Sequence, residues 1–263
     1  MASANDLILN AIGPSTGAQR MAIFKFPWHD KRGAAPAGYV KGMALCYARM
    51  LCKRQSNDPV AVAIDRPTEG ENDEDALVWF HEELRAAAPA VEGEEYPQLI
   101  RSFIVLFGLG MQENSGQYFA GHDTKADIWP PTADSAEAGA FQASWALASA
   151  IDTRLLDALL LPFLPETPGP NREDCFVDVF KEGAGKPSAT DPQNIGAGPG
   201  FNYQVRAKSC PAYATGFAAL GLRAKRSHWG TLSNHSKVQI QPEVTELFRK
   251  VQETVAIKGI TKV

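Results

Sequence analysis

Three features of the 263-residue chain predict a mainly helical α+β protein. Residues 99–111, LIRSFIVLFGLGM, are apolar on nearly every side, the pattern of a helix enclosed by a core rather than lying on one. Several other segments repeat apolar residues at helical spacing, and only residues 60–64 read as a strand. With 44% hydrophobic and 21% charged residues, the chain has bulk for one large core or two small ones. One structural unit is favoured: residues 1–95 as a helical elaboration packed on a main domain at 96–263.

Residues 7–12 are apolar and lead into Gly13-Pro14-Ser15-Thr16-Gly17, the spacing of a nucleophile elbow. That motif needs a strand before its serine, and no parallel-sheet pattern surrounds it, so a flexible turn is expected. The aromatic and charged run FKFPWHDKR at 24–32 reads as core or a docking edge rather than a sugar platform. A helix follows over 39–53, where Val40, Met43, Ala44, Tyr47 and Leu51 recur at helical spacing. After the 60–64 strand, the acidic loop 66–75 reads as solvated surface. Residues 75–88 fit an amphipathic helix through Ala76, Leu77, Trp79, Phe80 and Leu84. The buried helix then starts near Pro97, which suits a first turn, and stops at Gln112-Glu113-Asn114-Ser115-Gly116, where Gly116 can close it in the left-handed conformation.

Residues 117–138 have no periodicity, and Pro130-Pro131 excludes a helix there. From 143 to 161 the pattern is helical, with an apolar face at Trp145, Leu147, Ile151, Leu155, Leu156 and Leu159. Residues 164–171 are a proline-rich loop and 175–180 are short and mixed. Gly183-Ala184-Gly185-Lys186 lacks the glycine spacing of a phosphate loop and is followed by Pro187 instead of a hydroxyl residue. The glycine-rich 194–204 could form the far wall of a cleft. A helix of small residues is expected over 210–223, and a last one over 242–255 burying Val244, Leu247, Phe248, Val251 and Val255.

A net charge of −4 and a pI near 5.8 give no basic footprint, which argues against a nucleic-acid partner. Residues 1–11 lack the basic and long apolar regions of a secretory signal, and no stretch approaches a membrane span. The chain as written is expected to be cytoplasmic, with export by a specialised route as the alternative. Four cysteines are too few for a disulfide scaffold. Cys46 and Cys52 face different sides of one helix and should not pair with each other, whereas Cys175 and Cys210 could meet in space.

The chemistry centres on Glu113. Burial beside apolar bulk and the partial negative charge of a helix C-terminus both disfavour its ionised form, so its pKa is expected to rise. A carboxylic acid kept protonated near neutral pH is what a glycosidase uses to protonate a leaving sugar oxygen. The alternative is a solvated helix-end residue. Tyr118, Phe119 and Trp129 could stack on sugar faces or simply pack. His122, Asp123 and Asp127 look like a metal cluster, but no second histidine sits at ligand spacing, and neither metal nor cofactor is expected.

Glu113-Asn114-Ser115-Gly116, followed by Gly139-Ala140-Phe141-Gln142-Ala143-Ser144, resembles the lysozyme superfamily, especially goose-type lysozymes and soluble lytic transglycosylases. Residues 109–145 are more closely similar to a group of bacterial and fungal proteins with a lysozyme-like domain, carrying Glu-Ser-Ser-Gly, Gly-Arg-Asp and Gly-Leu-Phe-Gln-Thr-Ser. Here Asn114 replaces the first Ser and His122 the Arg. The similarity extends to residues 38–44 and to Cys210-Pro211-Ala212-Tyr213. It implies a lysozyme-like helical domain with a small hairpin or loop beside a cleft, and an N-acetylated polysaccharide as substrate. Glu113 would be the general acid and Asp134, five residues before Gly139, the nearest match to a second carboxylate, with Asp123 and Glu137 as runners-up. Gln142 could hold an N-acetyl group, with Ser115, Tyr118, Asn194 and Tyr203 as further substrate contacts. Goose-type lysozymes carry an Asp where this chain has Ser144, a departure shared in character with lytic transglycosylases. The acidity counts against bulk lysis of an anionic wall. An inactive lysozyme-like binding protein and a metal-dependent hydrolase are the two rivals.

Overall fold

In a computed structural model that describes residues 2–70, 74–122, 131–163, 172–186 and 194–263, the chain is mainly helical. The helices run α1 (Ala4–Ile12), α2 (Ala37–Gln55), α3 (Pro59–Ile64), α4 (Ala76–Trp79), α5 (His81–Ala87), α6 (Pro97–Asn114), α7 (Thr153–Leu160), α8 (Arg172–Cys175), α9 (Val177–Phe180), α10 (Pro199–Ser209), α11 (Pro211–Ala224) and α12 (Pro242–Lys258). Among the described residues, β pairing is confined to two isolated bridges, Trp28 with Gly33 and Ala138 with Ala143. The second forms the small turn that follows Glu113 in the chain. No helix among the described residues is long and apolar enough to cross a membrane.

Helix α6 is enclosed as its composition requires. From Leu99 to Met111 all but Arg101 are buried, and α2, α3, α4, α11 and α12 pack around it. One hydrophobic cluster takes in residues from Ile8 to Ile260, so both halves of the chain contribute to a single core. Tyr39 of α2 is wedged against the C-terminal half of α6, with its hydroxyl donating to Phe107 O at 3.0 Å. The wedge needs two glycines: a Cβ on Gly110 would overlap Tyr39 Oη, and one on Gly116 would meet the same ring. Burial holds the Tyr39 phenol well above its usual pKa. On its other side α2 reaches α9, where Gly38 and Gly42 leave room for the backbone and ring of Phe180.

Two cross-links hold the periphery. Arg223 of α11, fully buried, pairs with Asp75 at 3.0 Å and also donates to the carbonyls of Ile64, Arg66 and Pro67, while Asp75 caps α4 by accepting from Leu77 N. Every arm of the pair is hydrogen-bonded, which is what makes a buried charge tolerable. A disulfide between Cys175 and Cys210 joins the end of α8 to the residue that starts α11, and Cys46 and Cys52 remain as buried free thiols.

Several local expectations are corrected. Residues 60–64 are not a strand but helix α3, because Asp58 accepts from Val60 N and Ala61 N and Pro59 occupies the first turn; the cap outweighs the β-branched valines. The helix expected over 143–161 is divided: residues 145–150 form a 3-10 segment, and Asp152 caps a fresh start at Thr153. The helix over 75–88 likewise breaks at Phe80. The glycine-rich 194–204 turns into helix α10 from Pro199 onward. The Gly13–Gly17 turn follows a helix, not a strand, so the nucleophile-elbow condition is not met; Ser15 Oγ donates to Glu182 at 3.0 Å.

Gly110→Ala should destabilise the protein by about 1–3 kcal/mol through overpacking against Tyr39. Urea unfolding of the double variant with Tyr39→Phe, which removes the overlapping oxygen, should recover part of that loss. Reducing the disulfide, whose cysteines are 35 residues apart, should cost about 4 kcal/mol on loop-closure entropy, measured as a lower unfolding midpoint in dithiothreitol.

Candidate active site

The end of α6 carries the candidate acid. Ser115 adopts the left-handed conformation (φ 60°) and Gly116 follows (φ 74°), so Gly116 N returns to Gly110 O at 2.9 Å and closes the helix. Sequence placed the glycine in that conformation, but Ser115 enters it first. Glu113, in the last turn, is half-buried.

Asn114 fixes this helix end to the glutamine-bearing turn. Its Nδ2 donates to Gly139 O at 2.8 Å, and its Oδ1 accepts from Gln117 N at 2.8 Å. The Gly139 carbonyl also accepts from Gln142 N (3.3 Å) and Gln142 Nε2 (3.1 Å), so three donors meet at one oxygen. Gly139 has φ 78° and lies against Ala207 of α10, where a Cβ would come within 3.1 Å of a carbonyl oxygen. Gln142 is itself left-handed (φ 45°), is only 7% exposed, and folds its amide onto its own turn.

A third segment, the short 3-10 turns at Arg226–His228 and Gly230–Ser233, closes on both parts. Trp229 Nε1 donates to Phe141 O at 2.8 Å, His228 Nε2 accepts from Ser144 N at 3.2 Å, and Thr231 Oγ1 donates to Glu113 Oε1. Because Nε2 accepts, the His228 ring is neutral with its proton on Nδ1. Burial, with a smaller contribution from Lys225, lowers its pKa from 6.5 to about 4. His228, Trp229 and Thr231 were not legible as site residues: they lie more than eighty positions beyond the turn, in a loop without periodicity.

The remaining candidates divide. Ser115 caps α6 beside Glu113. Tyr118 is buried, its ring edge-on to Phe119 and Phe180. Tyr203 is 2% exposed within an aromatic cluster of Trp145, Tyr213 and Phe217, and burial pushes its phenol well above 10. Asn194 is half-buried, its Oδ1 without a hydrogen-bond partner among the described residues. Asp134 is exposed, with Oδ1 against Gly200 of α10. Gly200 and Ala207 stand about 10 Å apart along that helix at 1.5 Å per residue, so Asp134 and the Gly139 turn occupy two stations on α10. Of the suggested metal cluster, Asp123 and Asp127 lie outside the described residues, as does Trp129; among the described residues no group of three ligating side chains forms.

No family model matches the chain, and neither the curated proteins nor the solved structures provide a match. Neither of two cavities among the described residues is lined by Glu113. One of about 380 Å³ is lined by Ala88, Pro242 and Arg249, and one of about 340 Å³ by Arg49, Phe163 and Lys262.

Well above pH 6.5 the His228 ring is neutral in both folded and unfolded chains. Below it the unfolded chain takes up the proton while the folded ring resists down to about 4. Folding stability should therefore fall as pH drops through that window. His228→Gln keeps an acceptor for Ser144 N and should flatten the dependence of the unfolding midpoint on pH; identical slopes in both proteins would reject the assignment.

Proposed function

We propose that the chain is a lysozyme-like glycosidase acting on β-1,4 bonds of an N-acetylated polysaccharide, peptidoglycan ahead of chitin. The observation that supports this reading is the attachment of the Glu113 helix end to the Gln142 turn through Asn114, which brings a half-buried carboxyl and an amide-bearing turn together. Glu113 would donate its proton to the glycosidic oxygen as the bond breaks, leaving oxocarbenium character on the sugar. Asp134 would position a water for attack on that carbon. Without it, the substrate's own acetamido group or hydroxyl would assist. The fold is mainly helical, as the reading requires.

A second reading, a lysozyme-like binding or structural protein without turnover, is favoured by the Gln142 amide, which is directed onto Gly139 O and almost fully covered and so is withheld from a substrate. Ser144 in place of a second acid points the same way.

Incubation with purified peptidoglycan and with chitin oligosaccharides separates the two readings. The native chain should release muropeptides or shorter oligosaccharides, and Glu113→Gln should lower release at least about 100-fold, the scale of a lost general acid, with an unchanged circular dichroism spectrum. Release that survives the substitution rejects Glu113 as the acid. Binding with no release by the native chain supports the second reading. Mass spectrometry of the products distinguishes hydrolysis from anhydro-sugar formation.

A further inference from the structure

We infer that Thr231 is a positioning residue for Glu113: its hydroxyl fixes the orientation of the carboxyl and lowers its proton affinity. The catalytic meaning of this role rests on the glycosidase reading above; the interaction itself does not.

The geometry supplies the donor. Thr231 Oγ1 donates to Glu113 Oε1 across 118 positions of sequence, so the contact is made by the fold and not by local chain geometry. A glutamate at a helix end has three rotatable bonds, and a hydroxyl on a β-branched residue presents few alternative directions, which makes threonine a suitable anchor.

The loop does not need this hydroxyl to hold its place. Trp229 is buried and bonded to Phe141 O, Leu232 is fully buried, and Arg226 Nη1 donates to Leu232 O at 3.0 Å. Arg226 in turn lies over the Trp79 ring, 4.2 Å from its centroid, and its N–H donates to Glu74 O. Thr231 is therefore carried on a segment secured on both sides of it, and its side chain is spent on the carboxyl.

The direction of the effect follows from charge. A hydroxyl donating to a carboxylate makes a charge-assisted bond, stronger than any it makes with the neutral acid, so it favours ionisation. The helix terminus and partial burial act the other way. Thr231 thus opposes two influences that favour the protonated acid, and a general acid works best when its pKa lies near the operating pH.

The same loop carries His228 and Trp229 onto the Gln142 turn, so the acid and the turn are set by one segment. Removing the hydroxyl alone should disturb the first and not the second.

The test is a 13C NMR titration of the full chain labelled at the glutamate carboxyl carbons, with the Glu113 signal assigned by its disappearance in Glu113→Gln. Thr231→Val should raise the Glu113 midpoint by about one pH unit, a tenfold change in proton affinity, while Thr231→Ser, which keeps the hydroxyl, should return it to within a few tenths. An unchanged midpoint in Thr231→Val, or an equal rise in Thr231→Ser, overturns the proposal. With purified peptidoglycan as substrate, the high-pH limb of kcat/KM should move upward with the NMR midpoint in Thr231→Val. No turnover by the native chain would remove the glycosidase reading and leave the NMR comparison to decide Thr231.

Discussion

A helix that is apolar all round has no face to give to water, and α6 imposes that condition on the rest of the molecule. Five helices from both ends of the sequence are drawn in to cover it, which is why one cluster extends from Ile8 to Ile260. Enclosure has a second effect. The polar last turn of such a helix must emerge somewhere, and here it emerges where Gly110 and Gly116 admit Tyr39. The placement of Glu113 is thus a by-product of how α6 is buried: move the wedge and the carboxyl moves with it.

What joins that helix end to its surroundings is a carbonyl shared among three donors. Gly139 O gathers Asn114 and both nitrogens of Gln142, and the left-handed backbone at Gly139 is what turns it toward them. Asn114 makes the attachment from the helix side: its amide nitrogen reaches the turn while its oxygen receives Gln117 N.

The elements with strong apolar periodicity, α2, α6, α11 and α12, were legible in the sequence because burial leaves its mark at fixed spacing. Elements set by a few polar atoms were not. Asp58 and Pro59 convert a valine-rich segment into α3, and Pro199 opens a helix out of a glycine-rich run that gives no warning of it. The site divides along the same line. Glu113, Ser115 and the Gly139–Gln142 turn are close in sequence and were found together, whereas His228, Trp229 and Thr231 reach them only through tertiary packing. Tyr118 and Tyr203 show the converse. Aromatic side chains read as contacts for sugar are buried, because a large ring beside a core gains more from being covered than from display.

The bond between Cys175 and Cys210 ties this architecture to its chemical surroundings. Segment 172–186 supplies Phe180, against which α2 is fitted, and Glu182, whose carbonyl receives Gly38 N at 2.6 Å. Where glutathione keeps thiols reduced, that segment would be held by packing, by hydrogen bonds and by the Lys41–Glu182 ion pair; where the poise is oxidising, it is covalently locked as well. The same polypeptide would then have two stabilities, and the rigidity of its α2–α9 contact would record the compartment in which it folded.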